Sequence, residues 1–175
     1  IAFGYKVFMN KKIEINEYWS SLKSSPWEKE IHAYYTTGKV IVLRNDEYFL
    51  VKKNDTFKLN DKIFTGKDGY LVLKFGYQSQ LKIFENSNLE ITNLLLQKQD
   101  YGDRYFTFNL KLGSVFFNGR KGKGQIKLLS GPSKVLVTGT QFILNRNNTG
   151  NSKLAVLYGS IDLDSNASPK TTVKA

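Results

Sequence analysis

The chain contains no cysteine, a single histidine, one methionine and three prolines. Without cysteine there is no thiol nucleophile, no iron–sulfur cluster and no cysteine-bound zinc, although the compartment stays undecided because envelope proteins often lack disulfides too. One histidine, His32, cannot assemble a zinc site, which takes three or four protein ligands. A Ser-His-Asp triad is equally unsupported, since no G-x-S-x-G elbow is present to hold a nucleophile. No cofactor is implied. Nor is there a run of about 18 apolar residues that would cross a bilayer as a helix. The opening IAFGYKVFM is apolar but short, and it reads either as a first strand or as the exit from a signal or membrane anchor upstream of Ile1.

What is present is a chain of 175 residues, a length that suits one domain of roughly 100–200 residues. A chain of this size buries about 70% of its unfolded surface, so a core forms without metals or disulfides. Lys and Arg number 26 against 15 Asp and Glu, for a net charge of +11. Such a bias attracts nucleic acid, anionic lipid or acidic polymers at long range but confers no specificity. The lysines are scattered at strand-exterior spacing, with no block of five like charges.

Ser25-Pro26-Trp27-Glu28 has the form of a capping box with proline at the first helical position. Trp27, Ile31 and Tyr34 follow at i, i+4 and i+7, which predicts a short helix ending near Tyr35, with a weaker turn over residues 17–22. From Lys39 the period becomes two. Leu71, Leu73 and Phe75 alternate with Tyr70, Val72 and Lys74, as do Phe106, Phe108, Leu110 and Leu112 with Thr107, Asn109 and Lys111. Side chains that alternate in this way point to opposite faces of a strand. Similar runs cover 39–43, 47–51, 80–84, 88–92, 114–118, 125–129, 134–138, 140–145, 153–158 and 160–163. Asn, Asp and Gly clusters such as Asn45-Asp46 and Asn60-Asp61 punctuate them and mark turns. Five glycines, Gly38, Gly66, Gly113, Gly139 and Gly159, each precede a strand at irregular spacing. They suggest corners in a layered, winding sheet and no strict repeat. The tail after Leu163 has no apolar period and reads as a linker or frayed end.

Acid–base chemistry of the glycosidase kind needs two carboxylates about 5–10 Å apart in a cleft. Asp100 and Asp103 come nearest in sequence, yet they flank Gly102 in a hairpin tip; Asp162 and Asp164 alternate with Leu163 and face solvent. The loop Gly119-Arg120-Lys121-Gly122-Lys123-Gly124 lacks the G-x-x-x-x-G-K-[ST] form of a phosphate-binding loop and leads back into a strand. It reads as a cationic hairpin, with Arg120, Lys121 and Lys123 as candidate contacts for an anionic partner. Aromatics make up 14% of the chain. Phe75, Phe106, Phe108 and Phe142 fall at core positions, whereas Tyr34, Tyr35, Tyr48, Tyr70, Tyr77, Tyr101 and Tyr105 are uncommitted and could form a stacking platform.

Three segments together resemble the FecR domain family. They are Gly38 to Ile91 (GKVIVLR, DTFKLNDKIFTGKDGYLVLKF, SQLKIFENSNLEI), Leu110 to Phe117 (LKLGSVFF), and Val135 to Leu163 (VLVTGTQFIL, KLAVLYGSIDL). Gly139-Thr140-x-Phe142 followed by Gly159 is the most specific part. Where the family often has Gly-Asp, this chain has Asn60-Asp61. The resemblance implies an all-β, irregular β-solenoid or β-sandwich-like domain on the outer side of a bacterial inner membrane. It also implies a signalling role in its better-known members, in which an anti-sigma region and a membrane helix come first.

The expected organisation is an N-terminal segment, 1–37, with one short helix; a FecR-like β domain, 38–163; and a C-terminal linker or tail, 164–175. The expected function is non-catalytic: a periplasmic or otherwise extracytoplasmic module that binds an envelope protein or a cell-wall or surface polymer. The alternative is a basic domain that binds nucleic acid or another anionic polymer, with nucleic acid disfavoured because only net charge suggests it. At the Gly139-Thr140 step, glycine lets the backbone turn with positive φ, and Thr140 is expected to tie its hydroxyl to that turn. Gly139→Val is therefore predicted to lower the melting temperature and to leave no specific activity altered; a soluble variant that melts with the wild type would contradict this.

Overall fold

A computed structural model describes residues 30–75, 79–96, 104–119, 125–137, 139–165 and 168–175. Its strands form an open mixed sheet that folds over on itself into two leaves. The first leaf runs in the order β4 (Thr56–Phe57), β1 (Ile31–Thr37), β6 (Tyr70–Phe75), β7 (Ser79–Ile83), the C-terminal half of β9 (Arg104–Asn118), β12 (Gln141–Arg146) and β13 (Ser152–Tyr158). The second runs β3 (Glu47–Leu50), β2 (Val40–Arg44), β5 (Lys62–Thr65), β8 (Asn88–Leu96), the N-terminal half of β9, β10 (Gln125–Ser130), β11 (Ser133–Val137), β14 (Ser160–Ser165) and β15 (Ser168–Lys174).

Inward-facing residues from both leaves meet in one core. Phe75 of the first leaf lies 5.0 Å, ring to ring, from both Phe106 and Phe108 of the second, and Phe117 stacks on Phe142 at 5.3 Å. All five are buried, as the alternation requires.

Strand β9 belongs to both leaves, and the change of leaf happens at Gly113. Leu112 still pairs with Asn88 in the second leaf, whereas Gly113 and Ser114 pair with Arg146 and Asn145 in the first. Gly113 has φ +93°, and a Cβ there would overlap the Ser87 hydroxyl and stand 2.5 Å from the Ser87 Cα. Only glycine tolerates both demands. Ser87 is buried and seals the corner: its hydroxyl accepts from Ser114 N at 3.0 Å, and its own N donates to Thr65 Oγ1 at 2.9 Å. Thr65 Oγ1 in turn donates to the Phe84 carbonyl at 2.6 Å.

A second anchor lies under the β2–β3 hairpin. Asp61 is fully buried, and Arg44 grips it with Nε to Oδ1 at 2.8 Å and Nη2 to Oδ2 at 2.6 Å. Lys58 N also donates to Asp61 Oδ2 at 2.8 Å, and Arg44 Nη2 to the Thr56 carbonyl at 2.9 Å. The Asp61 hydrogen bond raises the Arg44 pKa above its usual value, against the opposing effect of burial. Asn60, where the family often has glycine, takes φ +69° and so makes the same left-handed turn.

Several sequence expectations change. Residues 25–29 of the expected helix lie outside the described residues, but its C-terminal part, 31–35, falls in the strand Ile31–Thr37. A β-bulge between Ala33 and Tyr35 inserts an extra residue, Tyr34, so the period of two is broken there and the spacing mimics a helix. The tail read as a linker contains β15, whose pairing with β14 includes Val173 opposite Ile161. The solenoid also gives way: among the described residues every strand pairing is antiparallel except β9 with β10. Turns of two or three residues can only reverse the chain, and the one parallel pair uses the C-terminal half of β9 as its crossover.

Replacing Gly113 with valine should cost roughly 2–5 kcal/mol, from the strained φ and the overlap with Ser87 together. A melting temperature lower by about 10 °C in a thermal scan is the expected reading for a domain of this size. Arg44→Met should cost about 3 kcal/mol in urea unfolding, because it strands the buried Asp61 carboxylate. Arg44→Lys, which keeps the charge but loses the two-pronged grip, should recover part of that loss.

Candidate functional site

The β2–β3 hairpin turns on Asn45 and Asp46, both left-handed with φ 51° and 64°. Two such residues make the turn whose twist matches paired strands, and they fix the register. Arg44 then faces Glu47, Leu43 faces Tyr48, Val42 faces Phe49 and Ile41 faces Leu50. Bonded and non-bonded pairs alternate along an antiparallel ladder. Val51 N donates to the Val40 carbonyl at 2.9 Å, so Val40 with Val51 and Val42 with Phe49 are the bonded pairs. The backbone N–H and C=O groups of Tyr48 and Leu50 consequently point away from β2. Among the described residues no strand pairs with β3 on that side.

The side chains of β3 are as open as its backbone. Tyr48 is 67% exposed, Leu50 60% and Phe49 43%. On the outward face, Ile41 bridges Leu50 and Phe64 across three strands, and Leu43 lies between Tyr48 and Lys62. Ile41, Leu43 and Phe64 are only partly buried, so they extend the apolar surface inward from the edge. Sheet edges are usually protected by lysine, proline or a bulge. In β3 none of these occurs, and Lys52 and Lys53 come only after Val51.

The residues singled out from sequence are dispersed. Arg120, Lys121 and Lys123 lie outside the described residues, as do Asp100, Asp103, Tyr77 and Tyr101. Gly38 is placed at the β1–β2 corner, where a Cβ would overlap the Asp68 carbonyl. Gly139 and Gly159 turn with φ +69° and +80° between leaves, while Gly66 has ordinary φ and accepts Gly69 N at 3.0 Å. Thr140 does not tie its hydroxyl to the turn: the residue is fully buried and its Oγ1 has no hydrogen-bond partner among the described residues. The core closes over the side chain before a polar group can reach it. His32 is buried in β1 with Nε2 3.3 Å from Glu30 Oε2. Asp162 Oδ1 accepts from Thr172 Oγ1 at 2.9 Å, which tethers β15.

Of the uncommitted tyrosines, Tyr35 and Tyr70 meet edge to face at 6.1 Å, and Lys74 sits 3.4 Å from the Tyr34 ring centre. Burial, then Tyr35, pushes the Tyr70 phenol above its usual pKa. No group of three or more His, Asp or Glu side chains suited to a metal occurs among the described residues. The edge position of β3 was missed in sequence. Its one signal is the run Tyr48-Phe49-Leu50-Val51, apolar at both parities in a segment too short to be central.

The sequence profile of the FecR family, described as FecR protein, matches residues 61–162. No curated protein sequence matches the chain. Two crystal structures of a candidate anti-sigma factor from Parabacteroides distasonis are similar in fold, each with a TM-score of 0.50, at 14% and 13% identity. Each alignment covers 65% of this chain and 50% of the other, so the chain spans half the length of those neighbours. With more than half of its length matched by one family profile, in a fold whose leaves are joined at the glycine corners of that pattern, the chain belongs to the FecR family.

Proposed function

We propose that this chain is a non-catalytic, extracytoplasmic module of a bacterial envelope signalling system, and that it binds a protein partner by strand addition at β3. The observation that carries this reading is the open edge of β3, with the outward amides of Tyr48 and Leu50 beside three exposed apolar side chains. An incoming strand would satisfy those backbone groups, and its alternate side chains would pack beside Tyr48 and Leu50, whose own cross-strand neighbours are Leu43 and Ile41. Membership of the FecR family supports the regulatory role. The non-catalytic reading is supported by the burial of Asp61 in an ion pair and by the dispersal of the other described carboxylates. Among the described residues no helix is long and apolar enough to cross a membrane.

Lysines at the edge should block strand addition without disturbing β2. The Tyr48→Lys, Leu50→Lys double variant should melt within a few degrees of wild type and lose at least tenfold in retention of an envelope protein on the immobilised chain. Lys127→Ala with Lys134→Ala, on the far side of the same leaf, should leave retention unchanged. Equal retention by the edge variant would exclude β3 as the binding strand.

A further inference from the structure

We propose that the outward face of the first leaf is a binding platform for a linear acidic polysaccharide. The net charge of +11 is not spread evenly between the leaves. Neither the strands β1, β4, β6, β7, β12 and β13 nor residues 113–118 of β9 contain any aspartate or glutamate, yet at outward positions they carry Lys74, Lys82 and Lys153, while Arg146 has the inward parity of Phe142 and Leu144 and stands against Gly131. The second leaf mixes both signs, with Glu47, Glu90, Asp162 and Asp164 among its lysines. A face of seven strands without an acid among their residues favours carboxylates over cations.

The register lines up the ligand chemistry. Lys74, Gln80, Asn118, Gln141 and Tyr158 are successive cross-strand neighbours from β6 to β13 and form one straight rung across the leaf. Their chain neighbours Leu73, Leu81, Phe117 and Phe142 are buried, so the rung faces outward. Gln141 Nε2 donates to Asn118 Oδ1 at 3.2 Å, and among the described residues the Asn118 amino group and the Gln141 side-chain carbonyl oxygen make no other hydrogen bond. The Gln80 side chain makes no hydrogen bond among the described residues. A carboxamide both donates and accepts, as a sugar hydroxyl does, and three in a row read a chain of hydroxyls without needing a charge on each. Adjacent strands are about 4.8 Å apart, on the order of one sugar ring per strand.

The parallel rung Tyr35, Val72, Lys82, Phe116 and Ile143 supplies an apolar floor beside the amides. Lys82 Nζ hovers 5.1 Å from the Phe116 ring centre, and Lys74 and Lys82 stand on neighbouring strands where acidic substituents of the chain would meet them. Tyr158, 66% exposed, ends the rung with a ring face for the sugar C–H groups. A nucleic acid fits this face less well: it brings a phosphate at every nucleotide, and two lysines on adjacent strands with a row of neutral amides do not track such a backbone.

Titration of the full chain with a polygalacturonate hexasaccharide tests the proposal, with single-stranded DNA of random sequence as the competing probe. The wild type should bind the hexasaccharide, the Asn118→Ala, Gln141→Ala double variant at least tenfold more weakly at an unchanged melting temperature, and the Lys127→Ala, Lys134→Ala control like wild type. Tyr158→Ala, whose exposed side chain adds nothing to the core, serves as a second probe should the double variant unfold, and it should also weaken binding several-fold. Absence of binding, equal losses in the rung and control variants, or tighter binding of the DNA would each overturn it. Loss of glycan binding with β3-dependent protein retention intact would separate this surface from the protein-binding edge.

Discussion

Everything in this fold turns on one strand that changes leaf. Gly113 lets β9 bend into the space that a Cβ would need, and Ser87 fills that space with its hydroxyl and Cα. Hydrogen bonds from Ser114 N to the Ser87 hydroxyl, from Ser87 N to Thr65 Oγ1 and from that hydroxyl to the Phe84 carbonyl then pair the polar side chains of the corner. Because β9 pairs with β8 and β10 on one side of the bend and with β7 and β12 on the other, it holds both leaves in register. Phe106 and Phe108 before the bend and Phe117 after it converge on Phe75. The core is thus assembled by the path of a single chain segment.

Folding an open sheet over on itself buries one face of each leaf but leaves edges. At the end nearest β13 and β15, Asp162, Thr172 and Val173 tie the last strand down. At the other end the Arg44–Asp61 pair anchors β2 and the left-handed Asn45-Asp46 turn fixes the register of β3, and among the described residues no strand pairs with the outer edge of β3. An edge whose register is already fixed needs little ordering to accept a further strand, which lowers the entropic cost of the proposed strand addition. The outward faces differ in kind as well: the first leaf is free of acids and rich in amides, and the second mixes signs and is greasy near its edge. Two surfaces of such different chemistry suit two different kinds of partner.

Much of this was legible in advance. The period of two across Leu71, Leu73 and Phe75 and across Phe106, Phe108 and Leu110 follows from burial on one face, and those residues are buried. Strand β1 was illegible because its bulge at Tyr34 imitates helical spacing, and β15 because Val173 alone among its described side chains packs on the core. The ion pair of Arg44 with Asp61 joins residues 17 apart in sequence, and no local pattern announces it. Nor could sequence reveal that Thr140 would be enclosed with its hydroxyl unmatched.

Local chemistry, then, settled the class of the fold: alternation made strands, glycine and asparagine made corners, and the want of cysteine excluded thiol nucleophiles and cysteine-held metal clusters. Those properties depend on neighbours a few residues away, so one chain displays them. Which strand lies at an edge, and which outward residues share a rung, depends on pairings between segments tens of residues apart. The tertiary structure alone decided these, because a strand's hydrogen-bonding groups carry no mark of the partner that will satisfy them.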